Sequence, residues 1–266
     1  TTSYNTSNVW DVIDNGNVFS LDVWNALGVR PIVGISSDVI IDGGNGALTD
    51  PYIIGEVYNG TGSLKDNSHV GEYVTYAERN YRVVETTSSG TKLILDGYYD
   101  QNNDGIIEDS DKMAYGTDCT LCTIINEEAF INWISNNNEV DKNKLVSTTW
   151  YQGDYFDFGD NYKDNLESTS NPYVGRVGLV RVGEMLSGQS ETILSKNHTV
   201  SNDKYNAQAY WTTTPYSVSN VWGLIDNGVA NKHEVTYSNA VRPVIMISPD
   251  VQITSGNGTF NSPFQI

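Results

Sequence analysis

Basic residues are scarce in this sequence. Lys and Arg together number 15, against 33 Asp and Glu, and the formal net charge is −18. So acidic a chain repels phosphate groups, which argues against nucleic acid or an anionic lipid surface as a partner. Metal cations are the natural counter-ions instead.

Long apolar runs are missing as well. No stretch approaches the roughly 20 apolar residues that are needed to span a bilayer. The first residues also lack the basic stretch followed by an apolar one that marks a secretory signal. We therefore expect no membrane insertion in this chain, and we expect any signal or anchor to lie outside these residues.

Cysteine is nearly absent. Cys119 and Cys122 are the only two, and they are separated by three positions. This spacing fits a local disulfide, a redox pair or half of a zinc site, but His69, His198 and His233 do not show the spacing of the further ligands that zinc requires. We predict a local structural disulfide.

Aromatic and small polar residues are abundant. The chain has 17 Tyr and 6 Trp, and Asn, Ser, Thr and Gly separate short β-branched stretches. This composition is typical of a secreted β-rich protein with long polar loops. At 266 residues, of which 38% are hydrophobic, the chain can bury one large core or two modest ones. We expect an extracellular or cell-surface location.

The chain contains an internal repeat with a constant offset of 212 residues, which places Thr1 against Thr213 and Ile54 against Ile266. A repeat of this length indicates a duplicated structural unit. We interpret residues 1–54 as the C-terminal part of a preceding repeat module and residues 55–266 as a complete domain. The repeated segments include Ser7-Asn8-Val9-Trp10 with Ser219-Asn220-Val221-Trp222, Ile13-Asp14-Asn15-Gly16 with Ile225-Asp226-Asn227-Gly228, Val29-Arg30-Pro31 with Val241-Arg242-Pro243, and Gly44-Asn45-Gly46 with Gly256-Asn257-Gly258.

Residue patterns predict an α+β domain. A period of two and hairpin turn residues predict antiparallel strands, and a one-sided apolar face predicts a helix over 129–134, capped by Asn126, Glu127 and Glu128. A second short helix is predicted over 182–186. The predicted strands cover 71–76, 81–85, 92–95, 221–225 and 241–247.

Five short motifs in order carry a family resemblance across nearly all of residues 55–266. The domain resembles surface-exposed domains of Gram-positive bacteria, found with pilin-like and cell-wall proteins and related to the formylglycine-generating-enzyme branch of the C-type lectin fold. The resemblance implies a twisted antiparallel sheet with two helices and long loops. The oxidase of this fold needs a cysteine pair near the C-terminal strands, and none is there, so we expect no enzyme. The motifs are Gly71-Glu72-Tyr73-Val74 with Tyr81-Arg82-Val83-Val84, Gly178 to Leu186, Trp211 to Tyr216, Val241 to Ile245, and Gly256-Asn257-Gly258-Thr259.

Residues 100–111 form the sharpest chemical motif. Oxygen donors occupy loop positions 1, 3, 5, 9 and 12, Gly105 at position 6 allows a sharp turn, and Ile107 is placed to anchor the loop to the core. The pattern predicts a calcium site of the dockerin type, because position 12 is Asp and not Glu. A solvated acidic turn is the alternative. The predicted ligands are Asp100, Asn102, Asp104, the backbone carbonyl of Ile106, Glu108 and Asp111.

A second region, within 151–173, interleaves carboxylates with aromatic rings. Such a set suits the binding of a sugar, with rings that stack on pyranose faces and carboxylates that accept hydroxyl hydrogens, but it also fits a second cation or a plain solvated loop. Nothing fixes the carboxylate separation that glycoside hydrolysis requires. The candidate ligand-binding residues are Tyr151, Asp154, Tyr155, Asp157 and Asp160.

Taken together, these features predict an extracellular, calcium-stabilised surface protein that acts as an adhesin or a ligand-binding module. The expected partner is a glycan or a host or surface protein. The alternative is a structural subunit of an extracellular filament or pilus-like polymer, which self-associates through residues 1–54.

Overall fold

The computed structural model describes residues 8–12, 18–22, 41–43, 53–54, 62–155, 168–182, 184, 209–224 and 230–266. The chain forms two compact units, Thr1–Ser37 and Asp38–Ile266. The predicted helix over 182–186 falls mostly outside the described residues.

The described part is a mixed α+β structure that consists mostly of strands. Each strand of the N-terminal repeat has a counterpart near the C-terminus, and the remaining strands lie between them. The strands are β1 (Asn8–Val12), β2 (Val18–Asp22), β3 (Ile41–Gly43), β4 (Ile53–Ile54), β5 (Gly62–Ser63), β6 (Tyr73–Tyr76), β7 (Arg79–Thr87), β8 (Gly90–Leu95), β9 (Met113–Ala114), β10 (Thr148–Tyr151), β11 (Pro172–Gly175), β12 (Val177–Gly178), β13 (Tyr210–Ser217), β14 (Asn220–Leu224), β15 (Ala230–Glu234), β16 (Ser238–Asn239), β17 (Val244–Ile247), β18 (Gln252–Ile253) and β19 (Phe264–Gln265).

Helices in the described part are short. They are α1 (Leu64–Asn67), α2 (Thr120–Ile124), α3 (Glu128–Ile134) and α4 (Glu139–Lys142), with a 3₁₀ turn at Thr117–Cys119. Helix α3 confirms the predicted helix, and its apolar face is buried through Phe130, Ile131 and Ile134.

The predicted capping of α3 by Asn126 is wrong. The N-cap residue is Glu127, and its side chain makes no capping hydrogen bond. The amide group of Asn126 instead donates to the carbonyl of Val177 (2.8 Å) and accepts from the backbone N–H groups of Val177 and Arg176. A long-range partner therefore outcompetes the local capping role of this side chain.

A six-stranded sheet forms the centre of the second unit, in the order β12-β17-β8-β7-β6-β19. Its hairpins β6–β7 and β7–β8 confirm the antiparallel opening that the sequence predicts. The C-terminal strand β19 returns to pair with β6 in parallel, with Phe264 opposite Val74. The repeat region 213–266 therefore completes a sheet that begins more than a hundred residues earlier in the chain.

Strand alternation divides the core between the two faces of this sheet. Leu93 and Ile245 pack in the cluster that includes the helices α2 and α3. Ile94 and Val244 point to the opposite face and pack in a second cluster with Trp150 and Tyr210. Every residue of β8 is buried, and each leucine or isoleucine side chain of this strand that is fully removed from water contributes about 1.5–3 kcal/mol.

Strand β17 is shorter than the predicted strand 241–247. Pro243 has no N–H to donate to a ladder, so regular pairing begins only at Val244. The preceding Arg242 is buried, and its guanidinium donates to the carbonyl of Leu95 at 2.9 Å and lies over the rings of Tyr210 and Tyr98.

The repeated segments form hairpins with the same register. In the C-terminal hairpin β14–β15, Val221 pairs with His233 and Leu224 pairs with Ala230. In the N-terminal hairpin β1–β2, the same pairings occur 212 positions earlier, between Val9 and Leu21 and between Val12 and Val18.

A third residue pairing is also repeated at the offset of 212 positions. Gly43 of β3 pairs with Ile53 of β4, and a bridge joins Ser255 to Gln265 at the positions 212 residues later. The duplication seen in the sequence is therefore also a duplication of strand pairing.

Candidate functional site

The predicted calcium loop connects the central strand β8 to β9. Its sharp turn depends on two residues in the left-handed region, Asn103 (φ 57°) and Gly105 (φ 82°). Glycine adopts this conformation without a steric penalty, and asparagine is among the few other residues that do so readily. Ile107 is buried in the second core cluster, which confirms its predicted role as the anchor of the loop.

Two buried carboxylates stand at the ends of the loop. Asp100 is 4% exposed and Asp111 is 1% exposed. Asp100 Oδ2 accepts the N–H of Gly105 at 2.7 Å. Asp111 accepts the N–H of Gln101 with one oxygen (2.8 Å) and that of Glu108 with the other (2.9 Å), which closes the loop on itself.

The middle of the loop is organised by short polar side chains. The Asn102 amide oxygen accepts the N–H of Asp104 at 3.1 Å, and Asp104 Oδ1 accepts the N–H of Ile106 at 2.8 Å. These local bonds are of the kind that Asx residues make in turns. Asn102, Asp104 and Glu108 are exposed, as is Ile106.

One oxygen of this loop has no partner. Asp100 Oδ1 is buried and accepts no hydrogen bond from the described residues. A buried carboxylate oxygen without a partner is costly unless a cation compensates it. The same excess of negative charge reaches Tyr99, because burial raises the pKa of its hydroxyl and the carboxylates of Asp111 and Asp100 raise it further.

The donor set fits a hard cation. Carboxylate, amide and backbone carbonyl oxygens are the ligands that Ca²⁺ takes, whereas Zn²⁺ prefers nitrogen and sulfur. Within the described residues, no three His, Cys, Asp or Glu side chains converge on a metal position.

The two cysteines lie just beyond this loop. Cys119 and Cys122 are joined in a disulfide, with a Cα–Cα distance of 5.2 Å, and both side chains are buried. Asp118 and Cys119 both have positive φ, at 51° and 55°. The bridge therefore joins Cys119, the residue before helix α2, to Cys122 in the first turn of that helix.

The candidate ligand-binding loop is described only in part. Tyr151 is 36% exposed and Tyr155 is 62% exposed. Asp154 accepts a hydrogen bond from the hydroxyl of Ser168 (2.7 Å), and hydrogen bonds from Ser170 and Ser168 lower the pKa of its carboxyl group. Asp157 and Asp160 lie outside the described residues.

A cleft of about 480 Å³ lies beside Tyr151. Its lining includes the buried Lys92, which forms an ion pair with Glu184. Glu184 also accepts the N–H of Arg181 at 2.7 Å. Lys92 lies 5.6 Å from the centre of the Trp150 ring. The lining of the cleft therefore combines aromatic rings, apolar side chains and charged groups. Tyr151 lines it, whereas Asp154 and Tyr155 do not.

Sequence reasoning missed Lys92, Glu184 and Arg181. A signal existed for Lys92, because it interrupts the otherwise uncharged strand β8, and a buried lysine in a central strand requires a partner. No signal in the sequence identified that partner, since Glu184 lies 92 residues away.

Arg181 also positions the start of the candidate ligand-binding loop, at Gly153. A Cβ atom at Gly153, which has φ +84°, would lie 2.4 Å from the Arg181 guanidinium. Only glycine allows this close approach of the backbone to the guanidinium.

Comparisons with protein-family models, with curated proteins and with solved structures found no match to this chain. Among the described residues, no helix has the length and apolar character that crossing a bilayer requires.

Proposed function

We propose that this protein is an extracellular surface module that calcium stabilises and that binds an external ligand. The observation that carries the calcium part is Asp100 Oδ1, a buried carboxylate oxygen to which no described residue donates, in a loop whose donors follow the calcium pattern. The acidic net charge of −18 favours a cation as the compensating group.

Each donor has a distinct role in this proposal. Asp100 and Asp111 supply buried negative charge at the two ends of the loop. Asn102, Asp104 and the carbonyl of Ile106 supply oxygens from its middle, and Glu108 contributes directly or through water. The bound ion joins the end of strand β8 to the segment before β9, so its role is structural.

Calorimetry tests the metal. We expect calcium binding by the full chain and a melting temperature that falls when a chelator removes the ion. Asp100→Asn should abolish binding, because it removes charge at the oxygen that lacks a partner. Asp109→Asn is the matched control, since that exposed carboxylate in the same loop pairs with Lys112. Absence of calcium heat and of any chelator effect in the unmodified chain would refute the metal site.

The ligand part of the proposal rests on the cleft beside Tyr151. Aromatic rings next to a balanced set of charged and polar groups suit a glycan, which offers both apolar ring faces and hydroxyl groups. A glycan array on the full chain tests this assignment. We expect binding that Tyr151→Ala weakens and that Tyr237→Ala, at an exposed tyrosine in the turn before β16, leaves unchanged. Equal binding by both variants would exclude this cleft.

The fold of the module is proposed from the family resemblance to be C-type-lectin-like and related to the formylglycine-generating-enzyme branch. The mixed α+β architecture and the open six-stranded sheet support this proposal at the level of class. On the same basis we propose a cell-surface location in a Gram-positive bacterium and no enzymatic activity. A crystal structure compared with members of that branch would test the fold.

A structural subunit of a filament is the second candidate. The observation that favours it is the hairpin β1–β2, which has the same register as β14–β15. A duplicated element of this kind is suited to exchange between copies. Light scattering across a concentration series decides: self-association that removal of residues 1–54 eliminates supports the filament, and a monomer at all concentrations counts against it.

A further inference from the structure

The turn between β6 and β7 has an unusual backbone. Tyr76 pairs with Arg79, which leaves Ala77 and Glu78 as a two-residue loop, and both have positive φ, at 47° and 64°. Hairpins of this length favour such a turn, but Asn and Gly are the residues that usually occupy it. Alanine and glutamate in the left-handed region are strained, and such strain persists only where surrounding contacts hold the backbone in place.

Arg79, directly after the turn, reaches the calcium loop. Its guanidinium donates to the side-chain oxygen of Asn103 at 2.8 Å and to the carbonyl of Trp133 at 2.9 Å. It also stacks on the Trp133 ring, 4.1 Å from the centroid. Asn103 is one of the two loop residues in the left-handed region, so Arg79 binds the loop at its turn.

Trp133 holds the loop at a second point. Its indole N–H donates to the carbonyl of Asp100 at 2.6 Å, and its ring packs edge-on against Tyr99 at 4.8 Å. The turn itself is tied to the end of helix α3, because Glu78 accepts from the amide of Asn136 at 2.9 Å. Loop positions 1 and 4 are therefore both fixed to the unit formed by the strained turn and helix α3.

We propose that Arg79 is a positioning residue for the calcium loop, acting with Trp133 to hold the loop in its binding conformation before the ion arrives. This inference rests on the proposed calcium site. A pre-ordered loop loses less conformational freedom on binding, so affinity rises without a direct ligand contact. The positive charge of Arg79 opposes this effect by repelling a cation. We infer that ordering outweighs repulsion, because the guanidinium charge is directed to a neutral amide and an aromatic ring.

The test is calcium titration of three full-length variants. Arg79→Met should weaken calcium affinity roughly 10–100-fold, the range seen when partners that orient metal ligands are lost. Arg79→Lys keeps the charge but loses the planar fork, so it should weaken affinity similarly. Lys112→Met is the matched control: it removes a cation that pairs with Asp109 in the same loop but contacts no predicted ligand, and its affinity should be unchanged or slightly higher.

A fourth variant, Trp133→Phe, tests the proposal in the case in which Arg79→Met fails to fold. Trp133→Phe keeps a ring for stacking and removes the N–H that binds Asp100, so it too should weaken calcium binding. If Arg79→Met and Trp133→Phe bind calcium as tightly as the unmodified chain, or more tightly, repulsion dominates and the proposal is wrong. If the unmodified chain binds no calcium, the proposed site itself fails, which is a different outcome of the same titration.

Discussion

The hairpins β1–β2 and β14–β15 have the same pairing register, but their surroundings in the described structure differ. Strand β14 is the middle strand of three, flanked by β13 and β15, whereas among the described residues β1 pairs with β2 alone. The segment that follows β15 supplies β17 and β19 to the six-stranded sheet. The partners of those strands, β8, β12 and β6, occur once in the chain, within residues 55–212, which the duplication does not include.

This comparison separates local from long-range information. The hairpin register is encoded within residues 8–22 of the first copy and 220–234 of the second, so it appears in both copies. The burial of residues such as Arg242 depends on partners far away in sequence, which only the C-terminal copy is known to contact. Equivalent substitutions in the two copies therefore measure the contribution of tertiary context.

Replacing Arg242 should have the largest effect. Arg242→Met removes hydrogen bonds to the carbonyl of Leu95 and leaves that buried acceptor unsatisfied, so we expect a loss of about 3 kcal/mol in the free energy of unfolding. Arg30→Met, at the equivalent position of the first copy, is the matched comparison. Urea unfolding of both variants measures the difference, and equal losses would show that Arg30 has equivalent buried partners.

Removing calcium should lower the free energy of unfolding of the part that contains the calcium loop and leave that of the hairpin β1–β2 unchanged. At a calcium concentration of 100 times Kd, binding contributes about 2.7 kcal/mol, which corresponds to about 100-fold slower exchange of amides that open only by global unfolding. Hydrogen exchange with and without chelator should show this protection in β8 and β14 and no change in β1. Equal protection in β1 would mean that the two hairpins unfold together.

Glycine at position 256 should matter more than its counterpart, Gly44. Gly256 has φ +88°, and an added Cβ would lie 2.0 Å from the carbonyl oxygen of Pro263. Gly256→Ala should therefore cost about 2 kcal/mol, from strain and displacement of the backbone before β19. We expect a smaller loss for Gly44→Ala, measured by thermal unfolding. A larger loss at Gly44 would reverse the comparison.

The smallest effect concerns pH. His233 is replaced by Leu21 in the first copy, and burial lowers the pKa of its imidazole below the usual value of 6.5. The unfolded state then binds the proton more readily than the folded state. The contribution of His233 to the free energy of unfolding is therefore fully present above pH 6.5, and it is lost as the pH drops toward the folded pKa. Its Nε2 atom is buried without a partner among the described residues, and its ring packs edge-on against Trp211.

Urea unfolding between pH 5 and 7.5 should detect this loss of stability. His233→Leu, which copies the residue of the first hairpin, should reduce the slope of stability against pH in this range. An unchanged slope would assign the pH dependence to other groups.

Much of the local structure was predictable. Turn residues and strand periodicity predicted the hairpins around β7, and the apolar face of 129–134 predicted helix α3 within one residue. Asn126 was misassigned as a cap because its side chain bonds to Arg176 and Val177, about 50 residues away, and to the carbonyl of Cys122. Lys92 and Glu184 were missed for the same reason, since periodicity reports which face a side chain lies on but not what it meets there.

The sequence by itself determined the duplication, the register of its hairpins and the pattern of oxygen donors in residues 100–111, because each depends on residues close together in the chain. Only the tertiary structure decided that Asp100 and Asp111 are buried and that Asp100 Oδ1 has no partner among the described residues. It also decided that Arg79 and Trp133 donate hydrogen bonds to the loop. Burial and long-range contact depend on how separate segments pack together, and no local pattern specifies that packing.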